Sequence, residues 1–451
     1  MLKLREEQIT LWDSIIPESV WSLPEELAKI DALLDDERFM QPFLEKHHTR
    51  RGRPTKAVET FLRLMYLKRR YNFGYESLVQ EVGDSLTWRR FCRIPIDEKM
   101  PDPTTLIKAR QRYGEEWVEQ LNELLLQKLD EAKVLKHRKL RTDTTVVESD
   151  VHHPTDATLL QDGVKVITRL VGKIRKVASE ATRNFEDKTS EVKQHILSIA
   201  KLLRRRTQQS WDELNAITEQ VAAMTEDVCQ KATAVMNLTK DKGKASVKAM
   251  KEKLGEAITL TQKLVDQAKQ VVSGNRIIPD RIVSFFDPEA RPIKKGKLSK
   301  SAEFGYKARI DETENGFVTG YELYKGNPSD DEMLVPAVVQ HKERFGSVPR
   351  AVATDRGFGS KKNETTLAEL GVTRISTPFR GKKSKKRAEL EKQLWYKDLQ
   401  RFRAAGEAKI SLLKRRYGLN RSRYRGFAGS KTWIGLGIWV HNLRKAAQMI
   451  K

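Results

Sequence analysis

Hydrophobic and polar positions divide the chain into three stretches with different periodicities. In the first stretch, residues 56–70 carry apolar side chains at positions 58, 61, 62, 65 and 66, which is the spacing of an amphipathic helix. Further short helices are expected over residues 75–82 and 85–92. Another is expected to start at an N-cap formed by Thr104 and Thr105 and to run toward Leu135. These patterns predict an all-helical N-terminal domain over residues 1–135.

The second stretch opens with residues 139–148, whose Thr and Val content is typical of a strand. From residue 163 to residue 274 apolar positions recur at intervals of three and four, and no proline occurs. This pattern predicts long packed helices with a turn at Asp241-Lys242-Gly243, in the manner of an antiparallel coiled bundle. We interpret residues 163–274 as a helical insertion that serves dimerisation or DNA bracketing rather than catalysis.

In the third stretch, strand patterns return in three segments: residues 281–286, 306–311 and 317–324. A helix over residues 330–345 then leads to a buried strand that ends at Asp355 beside a glycine turn. Helical patterns follow at residues 389–417 and 432–449. The alternation predicts an α/β core made of residues 136–162 and 275–451, interrupted by the helical insertion.

The net charge of the chain indicates which class of molecule it binds. The chain has 85 Lys and Arg residues against 61 Asp and Glu residues, a formal net charge of +24. Residues 374–425 alone contain 18 Lys or Arg and four acidic residues, with six aromatic residues interleaved. A merely soluble basic protein would mix both signs on its helix faces, whereas this surplus favours a polyanion such as nucleic acid.

Cysteine use and hydropathy indicate the compartment. Only Cys92 and Cys229 occur, so the sequence has no disulfide framework and no Cys-x-x-Cys metal site. The first residues are too charged for a signal peptide, and the longest apolar run, residues 434–440, is far shorter than a membrane span. We expect a soluble protein of the cytoplasm.

Three carboxylates are candidates for metal-dependent chemistry. Phosphoryl transfer by two metal ions needs several carboxylates converging on one point, and hard oxygen ligands suit Mg²⁺ or Mn²⁺. Asp143 lies on a predicted strand, Asp355 at the end of another, and Glu407 on a basic helix. An Asp within an apolar strand costs free energy unless it is paired or binds metal. Taken singly, each of these residues is also compatible with an ordinary hydrogen-bonded polar position.

The surrounding motifs resemble those of bacterial insertion-sequence transposases of the Asp-Asp-Glu (DDE) type. Asp143 opens Asp-Thr-Thr-Val-Val-Glu-Ser-Asp, and Asp355 lies in Ala-Thr-Asp-Arg-Gly-Phe, similar to the family's first and second carboxylate motifs. The third carboxylate of one broad group lies in a Tyr-x2-Arg-x3-Glu-x6-Lys signature. Arg403, Glu407 and Lys414 match its spacing, while Gln400 replaces the Tyr.

Smaller matches extend the resemblance over most of the chain outside residues 163–274. They are Gly52-Arg53-Pro54, Asp84-Ser85-Leu86 with Phe91, Pro101-Asp102-Pro103-Thr104-Thr105 and Asn327-Pro328-Ser329-Asp330. The resemblance implies an RNase H-like core, two Mg²⁺ or Mn²⁺ ions per active site held by Asp143, Asp355 and Glu407, and cut-and-paste transposition. It also implies double-stranded DNA partners, namely terminal inverted repeats and target DNA, and a homodimer in the DNA complex.

Basic residues near these motifs are candidates for DNA contacts. The set is Arg53, Lys382, Lys383, Lys385, Lys386, Arg403, Lys414, Arg415 and Arg416. Arg403 and Lys414 share a helix face with Glu407, so both phosphate contacts and salt bridges on a solvated helix are open to them.

Other residues compete for the same roles. The rival carboxylates are Glu389, Glu391, Asp150 and Asp156. His152 and His153 are candidate ligands, although adjacent loop histidines more often contact DNA or have no role. Trp395 is compatible with stacking on an unpaired base, but packing against the core is the more usual role of a helical Trp.

Two other functions share these features. A non-catalytic DNA-binding protein descended from a transposase would have the same charge and helices, but such a protein often loses one of the carboxylates. An RNase H-like nuclease would share the acidic residues and would yield no joined strands.

Overall fold

The computed structural model describes residues 2–5, 15–44, 55–151, 155–202, 207–239, 245–275, 277–294, 302–379 and 381–450. The chain forms two compact units. The first combines Met1–Asp150 with Gly305–Lys451, and the second is Val151–Phe304. Within the described ranges, no helix is long and apolar enough to cross a membrane.

The N-terminal part of the first unit is helical. Its helices are α1 (Glu18–Trp21), α2 (Glu25–Leu34), α3 (Gln41–Leu44), α4 (Val58–Arg70), α5 (Tyr75–Gly83), α6 (Leu86–Phe91), α7 (Pro103–Tyr113) and α8 (Glu116–Glu131). Helix α4 is buried along almost its whole length, including the predicted inner positions Phe61 and Met65. Arg63 is also buried, and its guanidinium pairs with Asp31 at 2.8 Å. This ion pair offsets the cost of enclosing the charge.

The predicted helix from Thr104 toward Leu135 is two helices, and its N-cap was assigned wrongly. Asp102 caps α7, because its carboxylate accepts a hydrogen bond from the Thr104 amide at 2.8 Å and Pro103 occupies the first turn. Gly114 ends α7 with a φ of +79°, a conformation that glycine adopts without strain. Helix α8 then ends at Glu131.

A mixed sheet follows in the first unit. Its strands are β1 (Lys139–Glu148), β3 (Glu303–Thr313), β4 (Val318–Tyr324), β5 (Ala351–Ala353) and β6 (Arg374–Ser376). They lie side by side in the order β4-β3-β1-β5-β6. β1 runs antiparallel to β3 and parallel to β5, and β5 runs parallel to β6. The parallel segment ends where Ala353, the last residue of β5, pairs with Arg141, while β1 continues to Glu148.

The remaining helices of the first unit are α13 (Leu334–Phe345), α14 (Lys361–Glu369), α15 (Lys385–Lys392), α16 (Leu394–Arg416) and α17 (Gly426–Met449). On one face of the sheet, Leu140 of β1 and Val352 of β5 share a buried cluster with Leu334 and Val338 of α13. On the other face, α16 packs across β1, β5 and β6. Two layers of helix therefore enclose the parallel part of the sheet.

Two predicted helices differ from the observed ones in their bounds. The helix expected over residues 389–417 is divided at Gln393, whose extended backbone (φ −62°, ψ 144°) separates α15 from α16. The final helix begins at Gly426 rather than at residue 432, and it is buried along most of its length. Its apolar run at residues 434–440 is therefore core.

The second unit is a helical bundle with a short strand. Its elements are α9 (Asp156–Arg175), α10 (Thr189–Leu202), α11 (Gln208–Leu238), α12 (Ala245–Val272) and β2 (Arg291–Ile293). Helices α11 and α12 run antiparallel, since Glu226 pairs with Lys269 at 2.8 Å while Gly255 lies against Met236. The expected turn at Asp241-Lys242-Gly243 lies outside the described residues. The predicted strand at residues 281–286 is wrong, because that segment is irregular.

Helix α9 packs tightly on α12 within this unit. A Cβ atom added to Gly163 would lie 2.7 Å from the Thr261 hydroxyl, so the close approach depends on glycine. The two helices share a buried aliphatic core that includes Val164, Ile167 and Leu264. These positions are the ones that the three-and-four spacing predicted to face inward.

Candidate active site

Asp143 lies within β1, and Asp355 lies two residues beyond the end of the neighbouring parallel strand β5. Arg141 of β1 pairs with Ala353 of β5 in the sheet register, and each carboxylate follows its partner by two residues. Successive side chains alternate between the faces of a strand, so Asp143 shares the face of Arg141. The register brings the two carboxylates, which lie 212 positions apart in the sequence, to one edge of the sheet.

Local hydrogen bonds hold each of these aspartates. Asp143 Oδ1 accepts a hydrogen bond from the Thr144 amide at 2.7 Å. Asp355 Oδ1 accepts one from the Gly357 amide at 2.7 Å, which caps the turn that follows β5. Both side chains are half-buried. The rigid turn and the strand end therefore fix where the carboxylates project.

Helix α16 crosses this edge in close contact with β1. The Arg141 guanidinium donates to the Phe402 carbonyl at 2.5 Å and pairs with Glu312 at 2.6 Å. A Cβ atom on Gly406 would lie 3.2 Å from Arg141 Cδ, so a glycine there lets the helix approach the strand. Arg141 thus ties α16 to the strand that carries Asp143.

A buried lysine makes the second tie between α16 and the sheet. Lys409 Nζ lies 3.5 Å from Glu312 and donates to the Gly316 carbonyl at 3.1 Å. Burial lowers the pKa of Lys409, and the charge of Glu312 opposes that shift. Glu312 therefore takes both Arg141 and Lys409 as partners, which fixes the height of the helix above the strand.

Gln400 connects the helix to the Asp355 turn. Its side-chain amide donates to the Thr354 carbonyl at 3.3 Å and to the Ser376 carbonyl at 2.8 Å. Thr354 immediately precedes Asp355, and Ser376 ends β6. Sequence reasoning treated Gln400 only as a departure from a Tyr, whereas in the structure it bridges the ends of two strands.

Gln400, Arg403, Glu407 and Lys414 lie along one side of α16, as their spacing at 3.6 residues per turn requires. A small cavity is lined by Asp143 together with Arg403 and Gly406. Glu407 is 65% exposed and forms an ion pair with Arg403 at 3.0 Å. The side of α16 that carries the signature therefore borders Asp143, but Glu407 is held by its own helix neighbour.

The chemical type of the candidate ligands favours a metal site, whereas the positions of their side chains do not form one. Asp143, Asp355 and Glu407 offer only carboxylate oxygens, which suit Mg²⁺ or Mn²⁺. Within the described part of the chain, however, no three His, Cys, Asp or Glu side chains stand close enough together to hold a metal ion. For Glu407 to be a ligand, its ion pair with Arg403 would have to open.

A further carboxylate, Asp330, lies beside Asp355. A Cβ atom on Gly357 would lie 2.7 Å from Asp355 Oδ1 and 2.8 Å from Asp330 Oδ2, so the two oxygens flank one small volume. Asp330 also pairs with the buried Lys307 at 2.6 Å and accepts a hydrogen bond from Thr144 at 3.0 Å. The only sequence signal was its place in Asn327-Pro328-Ser329-Asp330.

The rival carboxylates have other partners. Glu391 pairs with Lys383 at 2.5 Å and with Arg387 at 3.1 Å, which fastens α15 to the preceding loop. Asp156 belongs to the second unit, where it pairs with Arg281 at 2.7 Å.

The other two rivals lie on the surface. Glu389 is exposed on α15, and Asp150 lies 3.7 Å from Arg421. His152 and His153 lie outside the described residues. Trp395 packs against the cluster of Ala351, Ala353 and Leu399, which favours its core role.

The predicted DNA-contacting cations occupy different surroundings. Lys382, Lys385 and Lys386 are exposed before and within α15, and Arg415 and Arg416 are exposed at the end of α16. Lys383 is bound to Glu391 and Arg403 to Glu407, while Lys414 is half-buried. Arg53 lies outside the described residues.

Comparison with known proteins gives two family matches. A transposase domain model (DUF772) matches residues 15–112, and a transposase DDE domain model matches residues 287–443. An uncharacterized protein, ORF8 in the nfe locus of Rhizobium meliloti, is 26% identical over 123 residues. That alignment spans 26% of this chain and 59% of the Rhizobium protein. No solved structure matches the chain significantly.

Both matching models are transposase domains, and they fall on the parts of the chain that the motifs single out. The first covers helices α1 to α7, and the second includes Asp355 and Glu407, while Asp143 lies before it. The chain belongs to the insertion-sequence DDE transposases.

Proposed function

We propose that this protein cleaves the ends of its insertion sequence and joins them to target DNA, with Asp143, Asp355 and Glu407 as the catalytic carboxylates. The observation that supports this proposal is the register of β1 and β5, in which Arg141 and Ala353 are paired, each two residues before Asp143 and Asp355 respectively. Helix α16 packs on both strands. Its side that carries Gln400, Arg403 and Glu407 contacts Thr354 and lines a small cavity with Asp143.

The sheet supports an RNase H-like core. A mixed sheet in which β1 pairs antiparallel with β3 and parallel with β5, with α13 on one face and α16 on the other, suits such a core. The carboxylates are then carried by the middle of β1, by the turn after β5 and by the helix α16. This arrangement resists displacement better than residues on loops do.

Two Mg²⁺ or Mn²⁺ ions would be held by the three carboxylates. Bound ions would make water or a DNA 3′-hydroxyl a stronger nucleophile and offset the charge that develops on the phosphate. The chain's own part is to aim Asp143 and Asp355 through the Thr144 and Gly357 amides. Glu407 joins them once it leaves Arg403, which frees the Arg403 guanidinium to bind a phosphate.

The substrates we propose are double-stranded DNA ends with terminal inverted repeats, and target DNA, in the bacterial cytoplasm at the nucleoid. Lys414 and the exposed Arg415 and Arg416 extend the basic end of α16 toward such a ligand. Joining two ends in one reaction also favours a homodimer in the DNA complex, with one active site for each end.

The test is a cleavage and joining assay on labelled duplex DNA that carries the sequences flanking the gene. We expect nicking at the ends and joined product with Mg²⁺ or Mn²⁺, and neither with a chelator. Asp143→Asn, Asp355→Asn and Glu407→Gln should each lower the cleavage rate by about 10³-fold or more, because each removes several kcal/mol of transition-state stabilisation.

Asp398→Asn is the matched control. Asp398 is exposed on the same helix, and its carboxylate pairs with Arg401 rather than with the active-site edge. DNA binding by all four variants should equal that of the unaltered protein. Tight binding without cutting in either metal would instead indicate a DNA-binding protein, and cutting without joined strands would indicate a nuclease.

A further inference from the structure

A group of cations is enclosed where the N-terminal helices meet the last two helices of the first unit. Lys68 and Arg69 of α4 are 6% and 4% exposed. Arg110 of α7 is half-buried, and Arg423, just before α17, is exposed. We call Lys68, Arg69, Arg110 and Arg423 the α4–α17 cationic cluster.

Aromatic rings and carbonyls surround the cluster. Lys68 Nζ lies 4.5 Å from the centroid of the Tyr75 ring and donates to the Phe73 carbonyl at 3.0 Å. The Arg69 guanidinium lies 3.7 Å from the Trp433 ring and donates to the Trp433 carbonyl at 3.2 Å. These contacts hold the buried side chains in fixed positions.

Arg110 packs on an aromatic ring. Its guanidinium carbon lies 3.6 Å from the centroid of Tyr424, whose hydroxyl is hydrogen-bonded to that of Tyr75 at 2.8 Å. The Nε atoms of Arg110 and Arg69 are buried and have no hydrogen-bond partner among the described residues. The cluster therefore retains unused donors.

The charge of the cluster is not neutralised within the described residues. None of its four cations forms an ion pair or a hydrogen bond with a carboxylate there, unlike Arg63 and Arg70 on the same helix. Burial, and then the charges of Arg69, Arg423 and Arg110, lower the pKa of Lys68 to about 7. Enclosing like charges without an acid costs free energy that cation–π contacts offset only in part.

We infer that the α4–α17 cationic cluster is a phosphate-binding site for the backbone of duplex DNA. In this site Arg110 and Arg423 contact the phosphate, while the buried Lys68 and Arg69 attract it electrostatically without touching it. The inference rests on the proposed function, because DNA is the polyanion that a transposase binds. A phosphate would supply the missing counter-charge. The low dielectric around Lys68 and Arg69 strengthens their attraction for it.

This site is separate from those cations that the sequence singled out and the structure describes, which lie on α15, on α16 and in the loop before α15. It draws on α4, α7 and the segment before α17, so both family matches contribute to it. A bound phosphate would therefore join the N-terminal helices to the catalytic part of the unit.

The test measures the affinity for a 30-base-pair duplex by fluorescence anisotropy at several salt concentrations. Each phosphate contact adds about 0.9 to the slope of log affinity against log salt. We expect Arg110→Gln combined with Arg423→Gln to lower that slope by about 1. Lys29→Gln, which removes one positive charge elsewhere in the N-terminal helices, should leave it unchanged.

Thermal unfolding separates binding from folding. Arg423 is exposed, so Arg423→Gln alone should leave the melting temperature unchanged and still lower the affinity for DNA. Lys68→Met should also lower the affinity for DNA, although Lys68 does not touch the phosphate. If the Arg110 and Arg423 variants lose stability but keep the slope of the unaltered protein, the cluster only fastens helices together and the inference is wrong. A reduced slope in a protein that never cleaves DNA would uphold the site and overturn the proposed function instead.

Discussion

Arg403 and Glu407 form an ion pair of 3.0 Å across one turn of α16, on the side of the helix that borders Asp143. The Glu407 side chain is 65% exposed and that of Arg403 is 22% exposed, so water screens the carboxylate and the pair contributes at most about 1 kcal/mol to folding. Because the ion pair is weak, it can open at little cost, as the proposed role of Glu407 as a metal ligand requires.

The first prediction concerns this pair. Arg403→Gln should change the free energy of unfolding in urea by less than about 1 kcal/mol. It should nevertheless slow cleavage by about 10-fold or more, because a charged phosphate contact worth 1.4 kcal/mol or more is lost. Arg401→Gln, on the outer side of the same helix, serves as the control. An Arg403→Gln protein that cleaves at the unaltered rate would contradict a phosphate role for Arg403.

Gly357 provides the second prediction. In Gly357→Ala the new Cβ would lie 2.7 Å from Asp355 Oδ1 and 2.8 Å from Asp330 Oδ2, so the two carboxylates must separate. We expect about 1–3 kcal/mol of destabilisation in urea unfolding and a loss of most cleavage activity. Gly172→Ala is the control, because its Cβ meets no atom within 4 Å on helix α9 and the change should stabilise slightly. Full activity in Gly357→Ala would show that the spacing of Asp330 and Asp355 does not matter.

The third prediction concerns Gln400. Gln400→Ala leaves the Thr354 and Ser376 carbonyls without their side-chain donor, which should cost about 1–3 kcal/mol of stability. Because Thr354 precedes Asp355, the metal concentration needed for half-maximal cleavage should also rise. Gln393→Ala, at the start of the same helix, is the comparison. A stability loss with an unchanged metal requirement would limit Gln400 to a purely structural role.

The fourth prediction is a pH dependence. The folded-state pKa of Lys68 is lowered to about 7, so between that value and its ordinary pKa near 10.5 the folded protein binds fewer protons than the unfolded chain. Stability from this group is therefore present at high pH and is lost as the pH falls toward 7, by at most about 1.4 kcal/mol per pH unit.

Lys68→Met should remove that slope. Urea unfolding of both proteins at pH 7, 8 and 9 measures it, and the difference in stability should favour Lys68→Met most at pH 7. Parallel curves across this range would mean that Lys68 keeps an ordinary pKa in the folded protein.

The sequence predicts those helices and strands that depend on the spacing of side chains along one segment. The period of α4, the Thr- and Val-rich β1 and the buried β5 follow from side-chain spacing, and these strands position Asp143 and Asp355. The break at Gln393 was missed because residues on either side of it favour helix, and only the backbone conformation at that residue divides them.

Contacts between residues that are far apart in the sequence cannot be predicted from such spacing. The neighbours of Asp330 are Thr144, Lys307 and Gly357, each contributed by a different element. The α4–α17 cationic cluster joins residues more than 300 positions apart, as Lys68 and Arg423 illustrate. No periodicity records such meetings, since they arise from packing of whole helices rather than from the order of residues along one of them.

The pairing of β1 with β3 has a consequence for how the gene can vary. Glu148 and Gly305 are partners in the sheet, although the whole second unit separates them in sequence. The second unit therefore takes the place of the loop that joins two antiparallel strands. The entropy cost of closing such a loop grows only slowly with its length. A shorter set of helices in place of α9 to α12 would leave the pairing of β1 with β3, and hence the position of Asp143, intact. These helices are then a cassette that evolution or an engineer can lengthen or replace while the strands stay as they are.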